Sequence, residues 1–230
     1  MRTVLFILVL VIAATLATAS VVVSRVRHEV TARIDQGYHP RPAVYSSAFT
    51  DALWAQVERQ TPVELDRSVS VASLLLAAAT NKAHDSKGFL VASVAARSLA
   101  LLEHHPDDTD APKALVVFRE LLRTEALLER YDVDTLAAIY AESASFGGGM
   151  VGLDVAAEQL LGKPAALLDA NEAASLLTLS WSPNRCDLDR LRDRRNGLLA
   201  KMQGMQLATV TAPPTVFIPA VLPLMAACHP

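Results

Sequence analysis

The 230-residue sequence is poor in the residues that build most chemical centres: it has two cysteines, two tryptophans and only 5% aromatic side chains. Two isolated cysteines exclude a structural zinc site, which takes four ligands at short paired spacings. Cys186 and Cys228 either form one disulfide, closing a loop of about forty residues, or stay as buried thiols. The separation that a bridge requires is not written in the sequence, so both readings stand. A basic excess is also missing: 21 Lys and Arg stand against 24 Asp and Glu, for a net charge of -3, which excludes binding to a nucleic acid backbone. No convincing alternating strand and no 20 to 50 residue period occurs, which argues against β architectures and helical repeat arrays. With 52% hydrophobic residues the chain is far from the composition of a disordered protein.

What is present begins with an uncharged run from Thr3 to Val23, 21 residues long. At about 1.5 Å per helical residue it is long enough to cross a bilayer core of roughly 30 Å. Ala17-x-Ala19 suits a signal peptidase, so a cleaved signal is one reading. Val21, Val22 and Val23 carry the apolar run past that site, which favours an uncleaved anchor. Arg2 on one side and Arg25, Arg27 and Arg33 on the other leave the charge rule for orientation undecided. Either reading exports the rest of the chain.

Beyond a Gly37 to Pro42 turn, helical periodicity recurs over Val69 to Ala79, Phe89 to Leu102, Ala114 to Tyr131, Thr135 to Ala144, Val155 to Leu161, Asn171 to Leu179 and Leu188 to Met202. Asp169-x-x-Glu172 is a capping box, and Gly162 closes the helix before it. Five prolines between Pro213 and Pro230 break an apolar tail. The fold class expected is therefore all-α, in four parts: a signal anchor or signal peptide over 1–24, a linker and N-terminal helix over 25–60, the main domain over 61–205, and the Pro-rich tail over 206–230.

One stretch is more specific. Phe146-Gly147-Gly148-Gly149-Met150-Val151-Gly152 leads to Ala156-Ala157, Gly162-Lys163, Leu168, Glu172-Ala173-Ala174, Pro183 and Arg194-Arg195-Asn196. With Leu136 and Tyr140 before it, this order and spacing resembles the peptidoglycan glycosyltransferases of family 51, the transglycosylase domains of class A penicillin-binding proteins and of monofunctional enzymes. The resemblance is strong from Leu127 to Met202, about a third of the chain, and implies a lysozyme-like helical architecture. It also implies a setting in bacterial cell-wall synthesis, with one pass through the inner membrane and the domain on its periplasmic side. The partners implied are a lipid-linked precursor or glycan strand and a cell-wall synthase. No cofactor is implied, and a divalent metal only if transfer activity is retained.

The matched positions are mostly scaffold, and the family's chemistry is largely missing. Its first motif, Glu-Asp-x-x-Phe-x-x-His-x-Gly-Phe, retains only Gly88-Phe89; the general-base Glu falls on Ala79, and the Asp, Phe and His on Thr80, Ala83 and Ser86. Alanine accepts no proton. Between Asp66 and Glu103 the single carboxylate is Asp85, a candidate substitute base or else a solvated loop acid beside Lys82 and Lys87. The Gln-Gln motif of the donor side is absent, replaced by the acidic stretch Glu103 to Asp110, which repels a pyrophosphate. The family's second acid falls on Glu120, but its Arg-Lys pair falls on Val116 and Val117; Arg119 and Arg123 lie nearby. Glu120 is thus either a catalytic candidate or a helix-surface acid paired with Arg123 or Lys113. Glu172 reads as a cap, and Arg194 and Arg195 as anchors of the last helix or neighbours of anionic headgroups. Three functions remain open: a non-catalytic relative that binds precursor, glycan or a synthase; an active transglycosylase with a relocated acid; and a helical interaction module.

Overall fold

The computed structural model describes residues 20–21, 23–32, 34, 45–57, 65, 70, 89–102, 112–181 and 187–207. Seven named helices follow one another among them: α1 Ser47–Val57, α2 Phe89–Leu102, α3 Lys113–Arg130, α4 Val133–Ser143, α5 Leu153–Leu161, α6 Ala170–Ser180 and α7 Leu188–Gly204. A 3-10 turn, Ala165–Leu167, separates α5 from α6. Upstream, the described residues between 20 and 34 are also helical. The mostly helical fold agrees with the sequence, and the helices beginning at Phe89, Lys113, Val133, Leu153, Ala170 and Leu188 lie where periodicity put them.

One element departs from an all-α reading. Ser145–Gly147 (β1) and Met150–Val151 (β2) form a small antiparallel hairpin between α4 and α5. Strands of three and two residues are too short to leave a period in the sequence. They form because Gly148 and Gly149, both at positive φ (57° and 80°), supply the two central residues of a tight turn. Phe146 on the first strand is fully buried, and that strand packs against α6.

The scarcity of aromatics is answered by close packing of small side chains. Ala92, Ala95 and Ala96 of α2 are fully buried, and this bare helix face packs on both α3 and α4. Small residues at a helix contact let the axes approach closely. Elsewhere α1 packs on α6 and α7, bringing Phe49 into stacked contact with Tyr140 of α4, with ring centroids 6.4 Å apart. The helical stretch before residue 35 docks through buried Val30 and Ile34, while Arg27 pairs with Glu129 at 2.8 Å and Glu125 at 3.5 Å on α3.

Helix ends follow the punctuation. Asp169 accepts from the Glu172 amide and the Glu172 carboxylate accepts from the Asp169 amide, both at 2.9 Å, so the capping box is closed in both directions. Gly162 ends α5 in the left-handed conformation at φ 67°. Among the described residues no helix is long and apolar enough to cross a membrane. The Thr3 to Val23 stretch lies almost wholly outside those residues, as do the Gly37 to Pro42 turn, the acidic stretch from Glu103 to Asp110, both cysteines and the Pro-rich tail.

Candidate functional site

The stretch from Leu136 to Met202 that carries the resemblance is built as scaffold. Its glycines make the hairpin turn and the sharp entry into α5. Its alanines, Ala156, Ala157, Ala173 and Ala174, are fully buried where helices meet. Lys163 and Glu172 form an ion pair with each other across the turn between α5 and α6, so Glu172 is occupied by its cap and its salt bridge. That geometry agrees with reading it as a cap. Arg195, fully buried, donates from Nε and Nη2 to Oδ1 of Asn196, at 3.2 and 2.8 Å. Burial, followed by the nearby charge of Arg192, pulls its pKa below the usual arginine value. A guanidinium so enclosed serves packing of α7, whereas Arg194 beside it is exposed.

Glu120 lies on α3, half-buried, one turn before Thr124, whose hydroxyl donates to the Glu120 carbonyl at 2.8 Å. Val116 and Val117, where the resemblance would put the family's cationic pair, stand exposed on the same helix. No cation replaces them at those two positions. Asp85 and Ala79 are outside the described residues, so the two candidate acids are not brought together within them. No cluster of three metal-ligating side chains occurs among the described residues.

A different group of side chains converges elsewhere. A cavity of about 310 Å³ opens between α1, the end of α6 and one face of α7. Gln56 enters from α1, and Thr178 and Trp181 come from the end of α6. On α7 it is lined by Arg194, Gly197, Leu198 and Lys201, whose i, i+3, i+4, i+7 spacing puts them on one side of the helix. That spacing was visible in the sequence; its partners on α1 and α6 were not, because they are distant in the chain. Only Arg194 had been singled out beforehand.

Trp181 is held by a chain of hydrogen bonds that runs into the core. The Ser180 hydroxyl donates to the Leu177 carbonyl at 2.7 Å. Having one proton, Ser180 therefore accepts from the Tyr140 hydroxyl, 2.6 Å away. Tyr140 in turn accepts from the Trp181 side chain, which can only donate. Burial pushes the Tyr140 hydroxyl up to about 12, against the smaller opposing effect of the hydrogen bond donated by Trp181. A hydroxyl whose folded pKa is raised holds its proton more tightly in the native state. Its contribution is complete below the unfolded value near 10 and disappears as pH rises through about 12. We expect native stability to fall by up to about 3 kcal/mol between those limits, read as the difference in urea midpoints between the wild type and Tyr140→Phe. Parallel pH profiles of the two proteins would refute this linkage.

The helical core, the glycine hairpin between α4 and α5 and the buried alanine faces form one packed unit around the stretch that carries the motifs. Residues 100–203 match the transglycosylase family model, consistent with a peptidoglycan glycosyltransferase domain of family 51. The match overlaps the stretch that carries the motifs. No curated protein matches the chain.

Proposed function

We propose that this is an exported, membrane-attached protein of cell-wall synthesis that engages a lipid-linked precursor or glycan strand without polymerising it. One observation carries the reading: the resemblance, whose scaffold stretch the transglycosylase model matches over residues 100–203, puts Ala79, upstream of that match, at the position of the general base. Glycosyl transfer with inversion needs a group that takes the acceptor hydroxyl proton as the lipid pyrophosphate leaves. Exposed Val116 and Val117 point the same way, because they put aliphatic surface where a pyrophosphate needs cationic or N–H partners. The 21-residue uncharged run from Thr3 supports membrane attachment. The mostly helical fold of the described residues is compatible with the lysozyme-like architecture that the resemblance implies.

The test is incubation of the full-length chain in detergent with lipid-linked disaccharide precursor. Retention of the precursor with no polymer on a gel is expected. Polymer that disappears in Asp85→Ala or Glu120→Gln would overturn the reading and identify a relocated acid. Absence of both polymer and retention would leave an interaction module.

A further inference from the structure

The cavity between α1, α6 and α7 has features that the scaffold does not need. Gly197 sits inside α7, where glycine is a poorer helix former than alanine. Neither backbone nor neighbours demand it there: its φ is not positive, and a Cβ at this position would meet nothing within 4 Å. The missing side chain instead leaves room in the cavity wall. Trp181 is 42% exposed at the rim, a large apolar ring facing water. Its indole N–H is committed to Tyr140, so what it offers is a ring face held at a fixed angle. Among the described residues the titratable groups lining the cavity, Arg194 and Lys201, are both cationic, on a chain whose net charge is -3. They stand two turns apart on α7, about 10 Å along its axis. Thr178 donates its proton to the Ala174 carbonyl, which leaves its oxygen as an acceptor, and Gln56 adds an amide.

We propose that this cavity binds an anionic saccharide, with one pyranose face against Trp181 and the carboxylate or phosphate groups at Arg194 and Lys201. A flat C–H face packs on an indole ring, and fixed polar groups around an apolar platform orient its hydroxyls. The two cations confer selection for charge, Arg194 by its planar fork and Lys201 as a point charge. The site is built from α1, α6 and α7, whereas Glu120 stands on α3, which packs chiefly on α2. The assignment therefore goes beyond the proposed function and does not depend on it.

Tryptophan fluorescence of the full-length chain in detergent tests it, because Trp54 is buried and the signal from added ligand comes from Trp181. The probes are a glucuronate-containing disaccharide and glucose 6-phosphate, as the carboxylate and phosphate forms, with maltose and inorganic phosphate as controls. Saturable quenching by at least one anionic sugar is expected, with maltose at least tenfold weaker and inorganic phosphate without effect. Tight binding of the disaccharide alone identifies a glycan chain as the source, and equal binding of the monosaccharide a free sugar phosphate; both support the site. Arg194→Ala and Lys201→Ala should each weaken binding about tenfold, while Gly197→Leu fills the cavity and abolishes it. Gly197→Ala, a better helix former at the same place, raises the unfolding midpoint and confirms that α7 tolerates a side chain there. Equal affinity for maltose, quenching by inorganic phosphate alone, or unchanged binding in a folded Gly197→Leu protein would each overturn the proposal. Retention of lipid-linked precursor by Gly197→Leu would leave the proposed function standing without this site, and sugar quenching in a chain that retains no precursor would do the reverse.

Discussion

Phe146→Ala is expected to lower native stability by about 3–5 kcal/mol, the largest effect of any single truncation considered. Phe146 is fully buried on β1, the strand that packs on α6. Removing it leaves a cavity under a two-stranded element that has no wider sheet to hold it. An isolated hairpin of this length has little stability of its own. Against a typical total of about 5–15 kcal/mol, such a loss takes a large part of what holds the domain folded. Urea denaturation measures it directly. A loss below about 1 kcal/mol would mean that the site collapses around the smaller side chain and that the hairpin is held by something else.

Gly152→Ala should cost about 2–4 kcal/mol, from two sources that a glycine avoids. Gly152 has φ 91° and ψ 142°, a region that residues with a Cβ scarcely enter. A Cβ built there would stand 3.3 Å from the Glu142 carbonyl oxygen, a backbone atom that cannot swing away. The same residue donates its amide to the Ala144 carbonyl at 2.9 Å, tying the end of α4 to the start of α5. A one-carbon change therefore strains the chain where two helices and the hairpin meet. Thermal unfolding of the variant beside Gly149→Ala separates the terms, since Gly149 is also at positive φ but a Cβ there meets nothing within 4 Å. Gly149→Ala should carry only the conformational part, and equal losses in the two variants would remove the close-contact argument.

Much of the scaffold was legible in the sequence because its signals are local. Helix periodicity, the Asp169 and Glu172 box and the Gly162 stop act over a few residues and were read in place. The hairpin was missed as secondary structure, although its glycines were noticed, because two- and three-residue strands have no period and depend on Phe146 finding a pocket. The sequence gives Arg194 and Arg195 one shared reading, as anchors of the last helix or neighbours of anionic headgroups; the fold separates the pair, burying one and exposing the other. Consecutive helix positions differ by about 100°, so adjacent identical residues have different surroundings.

The cavity was the least legible feature. Trp181 carries no motif, and its orientation depends on Tyr140, far away in the chain. Gly197 reads in sequence as a mild flaw in a helix, and only the space beside it gives it another meaning.

By itself, the sequence determined the helical class and the transglycosylase resemblance, since periodicity and short motifs are properties of neighbouring residues. Tertiary structure decided which of the polar side chains meet. Gln56, Trp181, Arg194 and Lys201 come from three helices, and their convergence follows from how α1, α6 and α7 bury their apolar faces against one core. Burial is non-directional and acts between segments far apart in the chain, so no local pattern records which polar residues it leaves side by side.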